Sequence, residues 1–440
     1  MKPVTKFAIA IAVATAVFVQ QTSANNDTRL TPTLKAILSG HKRQVFAVAF
    51  SPNGKFLMTA SLEENGTRLW NTTTGELIAA CDGSSPVLSP DSRLVLTISK
   101  KRTVKLWDVA TGKLKLTLTG HEGDITSTSF SADGSKLATG SDDGTVKLWD
   151  TATGQTRFTL TVWRVKKLPR YRIISRAFIY GPVSVEVKFS PDQQMLLTTA
   201  RGQKSPAKLW DAATGRLKVE LDGHTRTGTY GQSEATGADF ASFSPDGKFI
   251  VTQGAGMARL WETASGKLIQ FFPEWSVLEF SPDSSWLGAM VSAGDVSLLN
   301  LETFKLQRTT DVDIEFFNQQ AFSPDGRTFV TASSYKHYSA SLIDLSTGRV
   351  RARIPLVTKW GFDWISLNQT DADLLSFHPG SKFLMGANHK SVRMWDVATA
   401  ALAWETAEAR DPAAFSADGK LLATVGKDKE TVWLWNVMGH

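Results

Sequence analysis

Apolar and polar side chains alternate in short segments along most of this chain. Segments 113–118 (KLKLTL) and 216–221 (RLKVEL) are examples, and this alternation is the period of a strand with one buried face. The three- to four-residue spacing of amphipathic helices is absent from such segments. The pattern therefore predicts an all-β protein.

Two short sequence markers recur in a fixed order. The first is FSADG at 130–134, with relatives at 50–54, 88–92, 189–193, 243–247, 280–284, 322–326, 377–381 and 415–419. The second is centred on Trp149, with counterparts at Trp70, Trp107, Trp210, Trp261, Leu299, Ile343, Trp395 and Trp435. Nine pairs of markers indicate nine repeat units.

Each unit has room for four short strands. One precedes the FSPDG-like turn, one follows it, one ends at the tryptophan position, and one follows the next T-x-x-T-G turn. Four antiparallel strands make one sheet, and a single such sheet cannot bury both of its faces. The units are therefore expected to stack on one another.

The third unit carries the fullest set of motifs: Gly120-His121, then FSADG, then GSDDGTVKLWD at 140–150. In these motifs the chain resembles the WD-repeat β-propeller family over residues 33–440. The resemblance implies a single closed ring of four-stranded antiparallel blades around a central channel. We predict nine blades; eight is the alternative, because the second, sixth, seventh and eighth units lack a Gly-His before their first strand.

The two ends of the repeat region complement each other. Residues 34–41, LKAILSGH, look like a fourth strand with its Gly-His, yet no unit precedes them. The ninth unit ends after its third strand. Pairing of an N-terminal strand at 33–39 with that third strand would remove two open sheet edges, so we predict a ring latched by the N-terminal strand.

The family resemblance implies a buried structural set made of His121, Thr139, Asp143 and Trp149. Hydrogen bonds among such groups avoid the cost of leaving buried polar atoms unpaired. The first and fifth units keep a histidine and a tryptophan but lack the aspartate. We therefore expect the third blade to be the most rigid and the others to depend on hydrophobic packing.

Catalytic and cofactor signatures are missing from the sequence. It contains no G-x-S-x-G, H-E-x-x-H, P-loop or post-strand G-x-G-x-x-G motif, and Cys81 is the one cysteine. We expect no catalytic residue, no metal site and no cofactor. A propeller enzyme that uses the central channel is the alternative.

The first 24 residues have the layout of a secretory signal peptide. Lys2 and Lys6 precede an apolar run at 7–19, which is shorter than the roughly 20 residues of a spanning helix. We expect cleavage after Ala24, a short linker at 25–32 and the propeller at 33–440; an uncleaved membrane anchor is the alternative. The result would be an exported WD-repeat protein of bacterial type, periplasmic or extracellular.

Loop lengths predict where partners bind. The surplus length falls between the fourth strand of one unit and the first strand of the next, before units four, five and eight, and these connections share one side of the ring. Basic and aromatic residues in these insertions are the candidate binding residues: Trp163, Arg164, Lys166, Lys167, Arg170, Tyr171, Arg172, Arg176, Trp360, Phe362 and Trp364. The alternative is that the aromatic residues pack on their own blades.

Charge adds a weaker hint about partners. The formal net charge is +7, which favours acidic partners without establishing nucleic-acid binding. The leading hypothesis is a monomeric, non-enzymatic scaffold that binds a protein partner on the insertion side. A binder of an anionic polymer, glycan or membrane surface through loop 163–180 is the alternative, and nucleic acid is not expected.

Overall fold

The structure is a computed structural model that describes residues 31–62, 66–163, 184–203, 205–227, 233–235, 237–291, 295–309, 312, 317–333, 339–355 and 374–437. The described residues form strands and turns and no helix. Accordingly, no helix in these ranges is long and apolar enough to span a membrane. The predicted signal peptide lies outside the described residues.

The N-terminal strand and the first four blades occupy residues 33–221. Their strands are β1 Thr33–Leu38; β2 Val45–Phe50, β3 Phe56–Ser61, β4 Thr67–Asn71 and β5 Leu77–Cys81 of blade 1; β6 Ser84–Leu88, β7 Leu94–Ser99, β8 Thr103–Asp108 and β9 Leu114–Leu118 of blade 2; β10 Ile125–Phe130, β11 Lys136–Ser141, β12 Thr145–Asp150 and β13 Thr156–Thr161 of blade 3; and β14 Ser184–Phe189, β15 Met195–Arg201, β16 Ala207–Asp211 and β17 Leu217–Leu221 of blade 4.

A short hairpin precedes the remaining five blades. The strands are β18 Thr225–Thr227 and β19 Ser233–Ala235 of the hairpin; β20 Phe240–Phe243, β21 Phe249–Gly254, β22 Met257–Glu262 and β23 Leu268–Phe272 of blade 5; β24 Trp275–Phe280, β25 Trp286–Val291, β26 Val296–Asn300 and β27 Leu306–Thr309 of blade 6; β28 Phe317–Phe322, β29 Thr328–Ser333, β30 Ser339–Asp344 and β31 Arg349–Pro355 of blade 7; β32 Leu374–Phe377, β33 Phe383–Ala387, β34 Val392–Asp396 and β35 Leu402–Thr406 of blade 8; and β36 Ala409–Phe415, β37 Leu421–Gly426 and β38 Val432–Asn436 of blade 9.

The described strands form nine four-stranded antiparallel sheets and the separate β18–β19 hairpin. In eight of the nine sheets the strands follow chain order, as in β10-β11-β12-β13. The structure therefore confirms the prediction of nine blades over the alternative of eight.

Both faces of each blade are buried because the two neighbouring blades cover them. In blade 3, Val146 and Leu148 pack into an apolar cluster with Val187 of blade 4. Trp149, on the opposite face of the same strand, packs with Leu106 of blade 2. The aliphatic residues of the third strand thus contact one neighbouring blade, and its tryptophan contacts the other.

The ring closes between blade 9 and blade 1. One cluster contains Met385 of blade 8, Val432 of blade 9 and Val48 of blade 1. Blade 9 takes its fourth strand from the N-terminus, in the order β1-β38-β37-β36, and Leu38 lies opposite Val432. The predicted N-terminal latch is confirmed.

The turn between the first two strands alternates around the ring. Its fifth residue has a positive φ in all nine blades and is glycine in blades 1, 3, 5, 7 and 9 but serine or glutamine in blades 2, 4, 6 and 8. In blade 6 the Ser284 hydroxyl accepts the N–H of Asp246 from blade 5 at 2.9 Å; Ser92 and Ser381 accept equivalent bonds. In blade 3, Gly134 instead lies against the Asp91 carboxylate of blade 2. From blade 1 to blade 9, these turns thus alternate with a two-blade period.

Gly134→Ala should destabilise the protein more than Gly256→Ala, and paired denaturant titrations measure this. Both glycines have φ near +70°, so each substitution costs about 1–2 kcal/mol of left-handed strain. A Cβ at Gly134 also meets Asp91 at 2.6 Å, whereas at Gly256 nothing lies within 4 Å. The Ser89 hydroxyl and the Arg93 N–H hold Asp91 in place. Equal losses of stability in the two variants would contradict a close contact between Gly134 and Asp91.

Candidate functional site

The four residues of the predicted structural set lie in one hydrogen-bonded chain, which we call the brace. His121 Nδ1 donates to Asp143 Oδ2 at 3.0 Å, and the Thr139 hydroxyl donates to His121 Nε2 at 2.8 Å. Trp149 Nε1 donates to Thr139 Oγ1 at 2.9 Å. The brace ties the loop before the first strand to the second and third strands of blade 3.

Asp143 is the charged end of the brace. Burial opposes its ionisation, but hydrogen bonds from His121, Thr145 and the Glu122 N–H outweigh burial, and the pKa of the Asp143 carboxyl falls well below its usual range. The carboxylate is therefore charged at neutral pH and fixes the proton of His121 on Nδ1.

The brace lacks the exposure that catalysis needs. Thr139 is fully buried and Trp149 nearly so, so a substrate has no access to the hydroxyl. The arrangement satisfies buried polar groups rather than presenting a nucleophile beside an oxyanion hole.

Blades 1 and 5 contain a second form of brace that the sequence interpretation missed. Arg68 and Arg259 donate to Nδ1 of His41 and His224. Because a guanidinium only donates, each histidine carries its proton on Nε2 and donates to the threonine of the second strand, at 2.8 Å for Thr252. Blades 1 and 5, which we expected to depend on hydrophobic packing, therefore contain a hydrogen-bonded set as well. The spacing Arg-Leu-Trp on the third strand was the available signal.

The charge of Arg259 affects the neighbouring histidine. Burial, followed by the nearby Arg259, lowers the pKa of His224 to about 4. The imidazole is therefore neutral at physiological pH and can accept the arginine bond.

The long insertions and the turns between second and third strands share one side of the ring, which we call the insertion face. In blade 3 the Gly144 carbonyl of such a turn accepts the N–H groups of Val162 and Trp163, at 3.0 and 3.1 Å. These residues begin the insertion before blade 4. Trp163, a predicted binding residue, is half-buried and packs on the cluster between blades 3 and 4. Its backbone anchors the insertion.

Blades 3 and 4 are joined unusually closely beneath that insertion. The hydroxyls of Thr126 and Ser127 on β10 donate to the Val185 carbonyl on β14 at 2.7 and 2.8 Å. Thr126 and Ser127 also accept the N–H groups of Val185 and Val187. A Cβ at Gly140 would meet the Val185 carbonyl at 2.5 Å. The insertion thus leaves and re-enters a rigidly joined pair of blades.

A cavity of about 400 Å³ opens on the insertion face between blades 4 and 5. Its lining side chains are Glu186, Arg201, Asp239, Phe240 and Gln253, and the turn at 254–256 completes its wall. The volume lies in the range of ligand-binding clefts. With two carboxylates, a guanidinium and an aromatic ring, this lining is suited to bind a polar segment of a partner that carries charged groups.

The insertion before blade 5 forms one side of this cavity. The Asp239 N–H donates to the Gln253 carbonyl at 2.8 Å and the Ala238 N–H to Ser205 at 3.1 Å, so the insertion ends between the second-to-third turns of blades 4 and 5. Earlier in the chain the same insertion forms the β18–β19 hairpin. The insertion before blade 5 therefore contains a hairpin and is anchored to the ring at its end.

A lysine contacts the Phe240 ring, which lines the cavity. The Lys188 ammonium lies 4.6 Å from the centroid of the Phe240 ring and donates to the Ala241 carbonyl at 3.0 Å. Burial lowers the pKa of Lys188. Sequence analysis missed the cavity residues because they come from four separated segments, although the preference for the insertion side was available from loop length.

Most of the predicted binding residues lie outside the described residues. This holds for Arg164, Lys166, Lys167, Arg170, Tyr171, Arg172 and Arg176, and for Trp360, Phe362 and Trp364. Within the described ranges no group of three His, Cys, Asp or Glu side chains is placed to hold a metal ion.

Glu279 on β24 is a further residue that the sequence interpretation missed, and burial raises the pKa of its carboxyl to about 7.

Comparison with known proteins agrees with this architecture. Residues 32–71 and 112–150 match the family described as "WD domain, G-beta repeat". The chain is 36% identical over 101 residues to mouse apoptotic protease-activating factor 1, a match that covers 22% of the chain and 8% of that protein. It is 33% identical over 112 residues to the guanine nucleotide-binding protein subunit beta of Oryza sativa subsp. japonica, which covers 23% and 30%.

A longer and weaker match extends over more of the ring. Autophagy-related protein 16 of Arabidopsis thaliana is 24% identical over 281 residues, which is 60% of the chain and 49% of that protein. The matched part of the chain spans less than a third of the length of the mouse and rice proteins. The family matches and the nine blades together identify this chain as a WD-repeat β-propeller.

Proposed function

We propose that this propeller is a non-enzymatic scaffold that binds a protein partner on its insertion face, outside the cytoplasm. The observation that carries the proposal is the cavity between blades 4 and 5. It lies where the insertions before these two blades meet the ring.

The rest of the face supports the same use. Variable loops on a rigid frame are the usual place for recognition, and hydroxyl–backbone bonds join blades 3 and 4 beneath the basic insertion. The similarity to propellers in larger proteins fits a platform role, although a fold alone does not fix function. The signal-peptide layout of residues 1–24 supports the proposed location outside the cytoplasm.

Capture of a partner from the exported fraction tests the proposal. Immobilised residues 25–440 should retain a protein that is lost when residues 164–183 are replaced by a Gly-Ser linker of equal length. Glu186→Gln, which changes one charge in the cavity wall, should weaken the same capture.

Substitutions on the opposite side of the ring provide the control. Lys113→Glu and Lys305→Glu alter exposed turns there and should leave capture unchanged. Capture that survives both insertion-face changes would overturn the proposal. Retention on a polyanionic resin that falls steeply with salt, and is lost in Arg170→Glu/Arg172→Glu, would instead favour the anionic-polymer alternative.

A further inference from the structure

The outer strand of blade 5, β23, has four apolar side chains and no charged side chain of its own. β23 is the outermost strand of its sheet, and no described strand pairs with its outer edge. Ile269 is 36% exposed and Phe271 43%. Proteins usually protect an open strand edge with charged side chains, and β23 has none.

The other outer strands differ from β23 in this respect. Seven of them carry at least one charged residue: β1, β9, β13, β17, β27, β31 and β35. The eighth, β5, is uncharged, but Leu77 is its one large exposed apolar side chain. Blade 5 therefore has the least protected edge among the nine.

Phe304 of blade 6 adds an apolar side chain on the other face of this edge, the face on which Phe272 packs against blade 6. It occupies the turn position at which six other blades have glycine, and its φ is +53°, a conformation that bulky residues rarely adopt. At this position Gly112 packs on Ala79 and Gly266 on Val219, each in the middle of the preceding outer strand. Phe304 occupies the equivalent position in blade 6, so it lies beside the middle of β23. The residue is 40% exposed.

Neighbouring groups hold the aromatic rings in place. The Arg259 guanidinium lies 4.7 Å from the centroid of the Phe271 ring. The Phe304 ring packs edge-on against Phe249 at a centroid distance of 6.1 Å. Side chains that are already ordered lose less entropy when a partner docks on them.

We propose that a second copy of this chain pairs with β23, in place of the monomer predicted from the sequence. Two β23 strands related by a two-fold axis through Gln270 run antiparallel. Leu268 then faces Phe272 of the second copy, and Ile269 faces Phe271. No charged side chain opposes another in this register, and the two blades become one eight-stranded sheet.

The available area sets the expected strength of the pair. Leu268, Ile269, Phe271 and Phe304 are each about two-fifths exposed. With roughly 200 Å² per large side chain, pairing buries on the order of 300 Å² of apolar side-chain surface per copy, before the strand backbones are counted. This area is smaller than that of a standard interface, so a weak dimer that forms only at high protein concentration is expected.

Sedimentation velocity on residues 25–440 over a range of concentrations tests the proposal. The wild-type mass should rise from that of a monomer to that of a dimer, and Ile269→Lys should keep the chain monomeric because it places like charges beside the two-fold axis. Leu217→Lys, on the outer strand of blade 4, is the matched control and should still dimerise. A wild-type monomer at every concentration would overturn the proposal, as would a dimer that survives Ile269→Lys.

A cross-link tests the register independently of the lysine variants. Gln270→Cys should form a disulfide-linked dimer on mild oxidation, since cross-strand Cβ atoms are about 5 Å apart, and Cys81 is fully buried. Lys218→Cys on β17 should remain uncross-linked under the same conditions. Equal cross-linking of the two variants would contradict pairing through β23.

Discussion

Removing residues 33–38 should lower the free energy of unfolding by roughly 5–10 kcal/mol. Loss of the buried Leu38 side chain accounts for about 2–5 kcal/mol, and the β1–β38 backbone hydrogen bonds add about 1 kcal/mol each. Leu38 is 2% exposed and pairs with Val432, and Leu34 pairs with Trp435. Without β1, blade 9 has three strands and an open edge at β38.

Two point substitutions on the same strand separate burial from pairing. Leu38→Ala should cost about 2–5 kcal/mol, whereas Leu34→Ala, at a residue that is 44% exposed, should cost less than about 1 kcal/mol. Urea titrations of the deletion and of both variants measure these differences. An unchanged midpoint for the deletion would mean that β1 does not close the ring.

The fold was predictable because one local pattern recurs nine times. Alternation in segments such as 113–118 gives the strands, the turn markers give their boundaries, and the incomplete ninth unit gives the latch. Each inference needed contacts between neighbours in the chain or between equivalent repeats. Even blades 6 and 7, which have Leu299 and Ile343 at the tryptophan position, form four strands, because an aliphatic side chain also fills the space between neighbouring blades.

The candidate site was less predictable because its contacts join different blades. Glu186, Arg201 and Asp239 form one cavity, but each belongs to a separate segment with no motif of its own. The arginine that takes the role of Asp143 in blades 1 and 5 was also missed. It lies on the third strand, whereas the carboxylate of blade 3 lies in the turn before that strand.

The two-blade period of the turns has a consequence for closure. Glycine and non-glycine residues alternate from Gly54 to Gly419, and an odd number of blades brings two glycine blades together at one joint. That joint lies between blades 9 and 1, where a Cβ at Gly54 would meet Ser416 at 3.9 Å. It is also where β1 completes blade 9, so the latch stabilises the joint at which the alternation fails.

Thr139→Val should lower the free energy of unfolding by about 2–4 kcal/mol, because it leaves His121 Nε2 and Trp149 Nε1 buried without a partner. Thr198→Val in blade 4 is the matched control. The Thr198 hydroxyl accepts one bond, from Trp210 Nε1 at 2.9 Å, so about half the loss is expected. Equal losses, measured by urea titration, would mean that the histidine adds nothing to the brace.

The charge on Asp143 gives the brace a pH dependence of known sign. Its folded pKa lies below the unfolded value of about 3.9, so its contribution to stability is complete above that pH and is lost as the pH falls. Asp143→Asn should therefore destabilise blade 3 at pH 7, and the difference from wild type should shrink below about pH 4. Burial raises the pKa of the adjacent Asp142, so Asp142→Asn should cost nothing at pH 7 and show the opposite slope. Parallel pH profiles for the two variants would show that burial, rather than the bond to His121, controls both carboxyls.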